Sequence, residues 1–208
     1  MADRRVMGVI LAGGRATRLG GIDKCLIEIG GRTLLARIRD RLAPQVDGLI
    51  LNANGDPARF AAYGLPVVPD DLPDRPGPLA GVLAGMEAAA ARGATHIVTA
   101  AGDTPFFPET LAARLSAAAD AERAPLACAA TPDIAGKVWR HPTFGFWPVA
   151  LAADLRAALR QGLRKVVLWT DRHGCAVVAF DPGPPDPFFN VNTPEDRAEV
   201  ERLVAEAP

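Results

Sequence analysis

Cysteine, unbalanced charge and long apolar runs are scarce in this chain of 208 residues, and each scarcity excludes a class of protein. The three cysteines, Cys25, Cys128 and Cys175, never form a CxxC pair, which excludes a zinc ribbon and is typical of free thiols in a reducing cytoplasm. The formal net charge of −1 argues against a protein that binds nucleic acid or a membrane surface. No apolar run approaches the length of a membrane span, and the first residues lack the cleavage pattern of a signal peptide. We therefore expect a cytoplasmic protein without nucleic-acid or membrane partners.

Lysine is also rare, because only Lys24, Lys137 and Lys165 occur among the 23 cationic residues. A chain that favours arginine so strongly nevertheless has a lysine in its most glycine-rich segment. A compact ammonium group on a flexible stem grips phosphate differently from a planar guanidinium group. Lys24 is therefore a candidate for a chemical role.

The segment that contains Lys24 is the most informative part of the chain. An apolar run over residues 6–11 predicts a buried strand, which leads into a loop that reads LAGGRATRLGGIDK. Glycines let the backbone approach a ligand closely, and free N–H groups together with cations suit a polyphosphate. The loop is not a P-loop, because Cys25 follows Lys24 where Ser or Thr is required, and it lacks the dinucleotide pattern G-x-G-x-x-G. Its glycines and cations are Gly13, Gly14, Gly20, Gly21, Arg15, Arg18 and Lys24.

Strand and helix patterns alternate along the chain, which predicts an α/β fold with a mostly parallel central sheet between two layers of helices. With 49% hydrophobic residues, the chain can build one full core, so we expect a single domain over residues 1–208. Glu109 is expected in the first turn of a helix over 108–119, and Thr193 and Asp196 are expected to form a capping box. The patterns predict strands at 6–11, 48–53, 66–68, 95–101, 126–130, 137–147 and 175–180, and helices at 33–42, 57–63, 79–91, 108–119, 148–160, 165–170 and from Pro194 onward.

Polar residues follow several of the predicted strands directly. Asn52 and Asn54 end the second strand, and Asp103 comes just after the strand at 95–101. Ligands of parallel sheets bind at the carboxyl ends of the strands, so these residues and the glycine loop are expected to meet at one edge. Asp103 there is either a ligand of Mg²⁺, which prefers hard oxygens, or a turn residue before Pro105.

An ordered set of motifs runs through nearly the whole chain. The motifs are LAGGRATRLGGIDK, NAN at 52–54, Asp70, PGPLAG at 76–81, GDTP at 102–105, RHPT at 140–143 and NVNTPED at 190–196. The set resembles the nucleotidyltransferases that join an NTP to a phosphorylated small molecule, and more closely the molybdenum cofactor guanylyltransferases. That resemblance implies a Rossmann-like nucleotidyltransferase fold, with nucleotide bound by the N-terminal half and acceptor by the C-terminal half. It also implies transfer of GMP from GTP to the terminal phosphate of molybdopterin, with release of pyrophosphate.

The resemblance also assigns roles to individual residues, with Mg²⁺ as the cofactor and GTP and molybdopterin as the small-molecule partners. Transient contact with other proteins of molybdenum cofactor biosynthesis, or with molybdoenzyme chaperones, is a further expectation. Asp70 either accepts from the N1–H and N2 amino group of guanine or only fixes its loop, and His141 is either an acceptor contact or a structural histidine. The predicted catalytic residues are Arg18, Lys24 and Asp103. The predicted nucleotide-binding residues are Leu11, Ala12, Gly13, Gly14, Lys24, Asn52, Asp70, Gly81 and Asp103. The acceptor-binding residues are Lys137, Arg140, His141, Asn190 and Asn192, and the metal ligands are Asp103 and Asn192.

Three alternatives differ from this interpretation in particular residues. The cytidylyltransferases of the same pathway typically have LAAG in the first loop and Asp-Gln-Pro in place of Asp-Thr-Pro, so Gly13 and Thr104 favour the guanylyl branch. Sugar-phosphate nucleotidyltransferases share the loop but usually have longer chains and other motifs in the second half. A nucleotide-binding module without turnover is disfavoured, because Arg18, Lys24 and Asp103 are all present.

Overall fold

The computed structural model describes residues 4–13, 15–16, 22–72 and 77–206. Its centre is a seven-stranded sheet made of β1 (Val6–Leu11), β6 (Leu49–Asn52), β7 (Val67–Val68), β8 (His96–Ala101), β9 (Leu126–Pro132), β10 (Val138–Pro148) and β11 (Cys175–Ala179). The strands lie in the order β11-β9-β10-β8-β1-β6-β7, and only β10 runs antiparallel to its neighbours. Outside this sheet, the short strands β2 (Arg15–Ala16) and β3 (Ile22–Asp23) pair with each other, as do β4 (Glu28–Ile29) and β5 (Arg32–Thr33).

Helices cover both faces of this sheet and bury one apolar core on each side. The helices are α1 (Leu34–Leu42), α2 (Pro78–Ala90), α3 (Leu111–Ala121), α4 (Ala152–Arg160), α5 (Val166–His173) and α6 (Pro194–Glu206), with 3₁₀ turns at Lys24–Leu26, Ala43–Gln45, Pro57–Tyr63 and Val149–Leu151. One core contains apolar side chains of α1, α3 and α6, and the other contains those of α2, α4 and α5. The three layers predicted from the sequence are therefore confirmed.

The register of the sheet brings the ends of three parallel strands to the same level. Leu11 at the end of β1 lies between Asn52 at the end of β6 and Ala101 at the end of β8. The backbone continues this alignment past the strands, because the Ala12 N–H donates to the Asn52 carbonyl (2.8 Å) and the Gly102 N–H donates to the Leu11 carbonyl (2.9 Å). The polar residues that follow these strands are thus fixed at one edge, as predicted.

Strand β10 separates from β8 near this edge. It pairs with β8 only at residues 146–148 and continues beside β9 from 146 to 138, with an irregularity between His141 and Gly145. The buried Thr99 hydroxyl accepts from the Gly145 N–H (3.1 Å) and the Trp147 indole N–H (2.9 Å) where the two strands part. The separation opens room at the end of β8, next to Thr143.

Helix α3 begins later than its sequence pattern predicts. It starts at Leu111, so the expectation of Glu109 in its first turn is wrong. The Leu111 N–H donates to the Pro108 carbonyl (3.1 Å), which makes a turn of residues 108–110. The side chain of Gln45 then accepts from the Ala112 N–H (3.0 Å), so the cap comes from a distant segment.

The capping box of α6 is confirmed. The Asp196 carboxylate accepts from the Asn192 and Thr193 N–H groups (2.8 and 2.9 Å), and the Asp196 N–H donates to the Thr193 hydroxyl (3.1 Å). Asn192 is therefore held by the start of α6. In the part of the chain that the structure describes, no helix combines the length and the apolar character that crossing a membrane requires.

Candidate functional site

A cleft of about 330 Å³ opens at the carboxyl ends of β1, β6 and β8. It brings together residues from the glycine loop, from the segments after β6 and β8, from the start of α2 and from β10. Eight of the predicted nucleotide-binding residues contribute to its wall. The lining includes Leu11, Ala12, Gly13, Lys24, Asn52, Asn54, Asp70, Gly81, Gly102, Asp103, Thr143 and Asn190.

Two asparagines fix the carboxylate of Asp70 at one end of the cleft. Asn52 donates to one oxygen of Asp70 (2.9 Å) and Asn54 donates to the other (2.8 Å). Asn54 also accepts from the Asp70 N–H (2.9 Å), and Asn52 donates to the Val68 carbonyl (3.1 Å). Each carboxylate oxygen has room for more than one hydrogen bond, so Asp70 is oriented and can still accept from a ligand.

The start of α2 approaches this cluster closely. A Cβ atom on Gly81 would lie 2.2 Å from the Asn52 side-chain oxygen, so only glycine fits there. Gly77 precedes the helix with a φ of 76° and provides no side-chain cap. Gly77, Pro78 and Gly81 line the cleft, so the N-terminal end of α2, which carries partial positive charge, faces it.

A cation and two oxygen donors meet at the other end of the cleft. The Lys24 ammonium lies 3.5 Å from a carboxylate oxygen of Asp103 and also contacts the side-chain oxygen of Asn192. Lys24 and Asp103 are mostly shielded, with side-chain exposures of 21% and 22%. Gly102 lets the segment after β8 pack closely against the end of β1, because a Cβ atom there would lie 3.0 Å from the Leu11 carbonyl oxygen.

Thr104 joins Asp103 to the C-terminal segment. Its fully buried hydroxyl lies 3.2 Å from Asp103 and also contacts the side chain of Asn190. The Val191 N–H donates to the Asp103 carbonyl (2.9 Å), so the backbone of this segment is attached as well. Asn190 and Asn192 are thus both brought to Asp103, as the motif order predicted.

Arg59 is a site-supporting residue that the sequence analysis missed. Its guanidinium forms an ion pair with Asp23, which precedes Lys24, and one of its N–H groups donates to the Asn54 carbonyl. It therefore ties the end of the glycine loop to the Asn54 segment. An arginine in the short helix Pro57–Tyr63 gives no sequence signal for this contact, which depends on the fold.

Arg156 of α4 supports the same site from farther away. Its guanidinium binds Glu87 of α2 (2.7 and 2.8 Å) and Asp71 (2.8 Å), the residue next to Asp70. The loop that carries Asp70 is thereby attached to two helices. Sequence reasoning also missed this contact, because it joins three segments that no local pattern links.

Four of the predicted acceptor residues lie outside the cleft lining. One of them, Asn192, still contacts Lys24, which lines the cleft, and the other three have partners elsewhere. Lys137 stands over the ring of Trp139 (3.8 Å to the ring centre) in the β9–β10 hairpin, and Arg140 pairs with Asp171 of α5 (2.6 Å). His141 shares a hydrogen bond with Thr131 (2.9 Å) and stacks on Phe188 (4.2 Å between ring centres). Burial lowers the pKa of His141, so it is uncharged near neutral pH. In this motif, Thr143 is the residue that reaches the cleft.

Part of the glycine loop lies outside the described residues. The predictions for Gly14 and Arg18, together with the positions of Gly20, Gly21 and Pro76, therefore stay predictions from the sequence. The backbone of Arg15 pairs with Asp23 in the short β2–β3 ladder.

Cys25 also lines the cleft, although the sequence analysis gave it no role. Burial, together with the charge of Asp23, raises the pKa of its thiol to about 12. The thiolate is the nucleophilic and metal-binding form of cysteine, so Cys25 is protonated and inert near neutral pH. Its side chain contributes packing beneath Lys24.

Comparisons with known proteins agree with this geometry. Residues 8–174 match the model of the MobA-like NTP transferase domain. The chain is 54% identical over 203 residues to a protein of Bradyrhizobium sp. strain ORS 278 named molybdenum cofactor guanylyltransferase, covering 96% of this chain and 93% of the relative. It is 52% identical to a protein of the same name from Rhodopseudomonas palustris strain BisB5, covering 98% and 96%.

Solved structures share the fold at low sequence identity. Molybdopterin-guanine dinucleotide biosynthesis protein A from Archaeoglobus fulgidus superposes with a TM-score of 0.73 at 20% identity, covering 97% of this chain and 100% of that protein. A CMP:2-keto-3-deoxy-manno-octonic acid synthetase complexed with CTP gives a TM-score of 0.73 at 15% identity, covering 97% and 99%. Proteins with different substrates share this architecture, so the fold alone does not identify the substrate.

Proposed function

We propose that this chain, which belongs to the family of MobA-like NTP transferases and within it to the molybdenum cofactor guanylyltransferases, transfers GMP from GTP to the terminal phosphate of molybdopterin. The observation that carries this proposal is the polarity of the cleft. Oriented amide and carboxylate groups at one end suit a base, and a cation beside a carboxylate and an amide oxygen at the other suits phosphates. The proposed location of the reaction is the cytoplasm.

The reaction requires positioning and charge neutralisation more than covalent work by the protein. An oxygen of the acceptor phosphate attacks the α-phosphorus of GTP, the bond to the β-phosphate breaks, and pyrophosphate leaves. The acceptor phosphate is already mostly ionised near neutral pH, so no general base is required. The Lys24 ammonium is placed to offset charge on the leaving phosphates, and Arg18 is predicted to share this role.

The chemistry of the donor set fits a Mg²⁺ ion at Asp103 and Asn192. Both residues offer hard oxygen atoms, and these oxygens lie close enough together for both to contact the Lys24 ammonium. Across residues 4–13, 15–16, 22–72 and 77–206, no group of three His, Cys, Asp or Glu side chains could hold a metal ion alone. Mg²⁺ is usually held by one or two carboxylates plus substrate phosphates, so a two-residue contribution suffices. When bound, the ion would supply charge stabilisation for the phosphates.

Asp70 is proposed to select guanine. The Asn52 and Asn54 side chains orient its two oxygens, and guanine offers two neighbouring donors, N1–H and the N2 amino group. Cytosine and adenine lack this donor pair, so a fixed carboxylate favours GTP over CTP and ATP. Asp70→Asn should therefore reduce the ratio of GTP to CTP turnover, and an unchanged ratio would contradict this role.

We propose that Asn190 and Asn192 recognise the acceptor. They lie near Asp103, so the phosphates of both substrates would bind within one cleft. Lys137, Arg140 and His141 stay predicted acceptor contacts beyond the cleft. Contact with other proteins of molybdenum cofactor biosynthesis, or with molybdoenzyme chaperones, is proposed for delivery of acceptor and product.

One experiment tests the reaction and its nucleotide together. The protein is incubated with molybdopterin, Mg²⁺ and GTP, CTP or ATP in separate reactions, and pyrophosphate and the dinucleotide product are measured. We expect both products with GTP, and a rise in melting temperature with GTP and Mg²⁺ that exceeds the rise with CTP. Pyrophosphate release with CTP but not GTP would assign the chain to the cytidylyl branch. Nucleotide binding with no turnover would support a binding module.

The centre of the reaction is tested by Asp103→Asn. We expect turnover to be lost while circular dichroism shows a folded protein, because Asp103 provides the carboxylate that faces the Lys24 ammonium. Asp120→Asn is the matched control, since Asp120 pairs with Arg4 at an exposed surface. Full activity of Asp103→Asn would remove the proposed metal site.

A further inference from the structure

The Lys24 ammonium lies where the proposed divalent ion would bind. It is 3.5 Å from Asp103 and in contact with the Asn192 oxygen, which are the two groups proposed to hold Mg²⁺. One positive charge thus already compensates the single carboxylate at this point. A divalent ion at the same two oxygens would meet strong repulsion from the ammonium group, in an environment that is largely shielded from solvent.

Lys24 can leave this position without a movement of its loop. Its backbone begins the 3₁₀ turn Lys24–Leu26, and the preceding Asp23 is held by Arg59. The ammonium group, by contrast, is carried on a flexible four-carbon stem. The head of Lys24 can therefore exchange Asp103 for another anion in the cleft while its Cα stays in place.

We infer that Lys24 is the internal counter-ion of the nucleotide-free site and sets the order of binding. It keeps the oxygens of Asp103 and Asn192 from taking a bare divalent ion. The triphosphate offers the ammonium group new negative partners and brings its own metal ion, so metal and nucleotide enter together as Lys24 moves onto the phosphates. The inference rests on the proposed function, since it takes the metal ligands and the triphosphate from there.

A static structural ion pair makes the opposite prediction for metal binding. If Lys24 only stabilised the positions of Asp103 and Asn192, its removal would disorder these ligands and weaken metal binding. If Lys24 competes with the metal, its removal strengthens metal binding in the absence of nucleotide. The two roles therefore differ in the sign of the effect.

The experiment measures Mn²⁺ binding to the nucleotide-free protein by electron paramagnetic resonance of the free ion. We expect Lys24→Met to bind Mn²⁺ at least about tenfold more tightly than the unmodified protein, because a competing charge is removed. Lys165→Met, which removes an exposed lysine just before α5, should change nothing. The double variant Lys24→Met/Asp103→Asn should lose the gain, which locates the ion at this site.

Unchanged or weaker Mn²⁺ binding by Lys24→Met would overturn the inference, provided that circular dichroism shows a folded protein. Lys24→Gln gives a second, polar variant with the same expectation if the methionine variant does not fold. A separate titration with GTP present keeps the proposed function distinguishable. GTP that fails to promote Mn²⁺ binding, or promotes it equally in Asp103→Asn, contradicts the proposed metal site, whereas the nucleotide-free titration tests Lys24 itself.

Discussion

Gly81→Ala is the substitution that most directly tests the base end of the cleft. Gly81 lies within α2, where alanine would ordinarily be preferred. The added Cβ would lie 2.2 Å from the side-chain oxygen and 2.9 Å from the Cγ of Asn52, distances at which atoms cannot coexist. Asn52 is 2% exposed, and a rotation away from the added Cβ would break its hydrogen bonds to the Val68 carbonyl and to Asp70.

The expected change in the free energy of unfolding follows from the hydrogen bonds that Asn52 loses. Its hydrogen bonds to the Val68 carbonyl and to Asp70 are each worth about 1 kcal/mol, and leaving the buried partners unsatisfied adds about 1–3 kcal/mol. Alanine in place of glycine within a helix returns only about 1 kcal/mol. We therefore expect a net loss of about 2–4 kcal/mol in the free energy of unfolding, together with a freed Asp70 and weaker binding of GTP.

Gly85→Ala is the matched control, because Gly85 lies one turn along the same helix. Its added Cβ would lie 2.8 Å from both methyl carbons of Val9, so this variant also carries a packing cost but leaves the Asn52–Asp70 contacts intact. Urea denaturation measures the stability of both variants, and calorimetry measures their affinity for GTP. Both should be destabilised, and only Gly81→Ala should bind GTP more weakly. Equal GTP affinity in the two variants would refute the argument.

Three further predictions concern residues outside the cleft. Arg156→Ala should raise the KM for GTP several-fold with a smaller effect on kcat, because the loop at Asp71 loses its attachment; steady-state kinetics check this, and partial recovery in Arg156→Lys is expected. Arg59→Ala should accelerate proteolysis of the loop beside Asp23, as measured by mass spectrometry, and unchanged cleavage would contradict the tether. Burial lowers the pKa of His96 to about 4, against about 6.5 in an unfolded chain. Between pH 4 and pH 6.5, His96 is therefore protonated to a greater extent in the unfolded state than in the folded state. The free energy of unfolding should fall as the pH drops from 6.5 to 4, and it should fall less steeply in His96→Gln.

The parts of the fold that could be predicted are those with local signals. Apolar runs predict β1, β6 and β8, and the rule that ligands bind at strand ends predicts that Asn52 and Asp103 meet at one edge. Each of these inferences needs only a short stretch of sequence and a general rule of sheet topology. The pairing of Asn192 with Asp103 is implied by the family resemblance instead.

The parts that could not be predicted depend on contacts between distant segments. The segment of β10 was expected to be β-rich, but its place between β9 and β8 follows from packing that no local pattern encodes. The start of α3 was misplaced because Gln45 caps it from another part of the chain. Arg140 and His141 are neighbours in one motif, yet successive residues of a strand point to opposite faces, so one reaches α5 and the other reaches Phe188.

The end of the cleft around Lys24 and Asp103 depends on residues that lie after the region matched by the family model. That region ends at residue 174, whereas Asn190 and Asn192 lie beyond it and reach Thr104 and Lys24. The contact between Lys24 and Asn192 spans 168 residues, so it forms only when the whole fold has closed. A chain that folds up to β11 but leaves the later segment undocked would retain the oriented Asp70 and lose the second oxygen donor beside Asp103. The proposed base-binding and phosphate-binding ends are therefore built differently, because local strand ends form the first and chain closure forms the second.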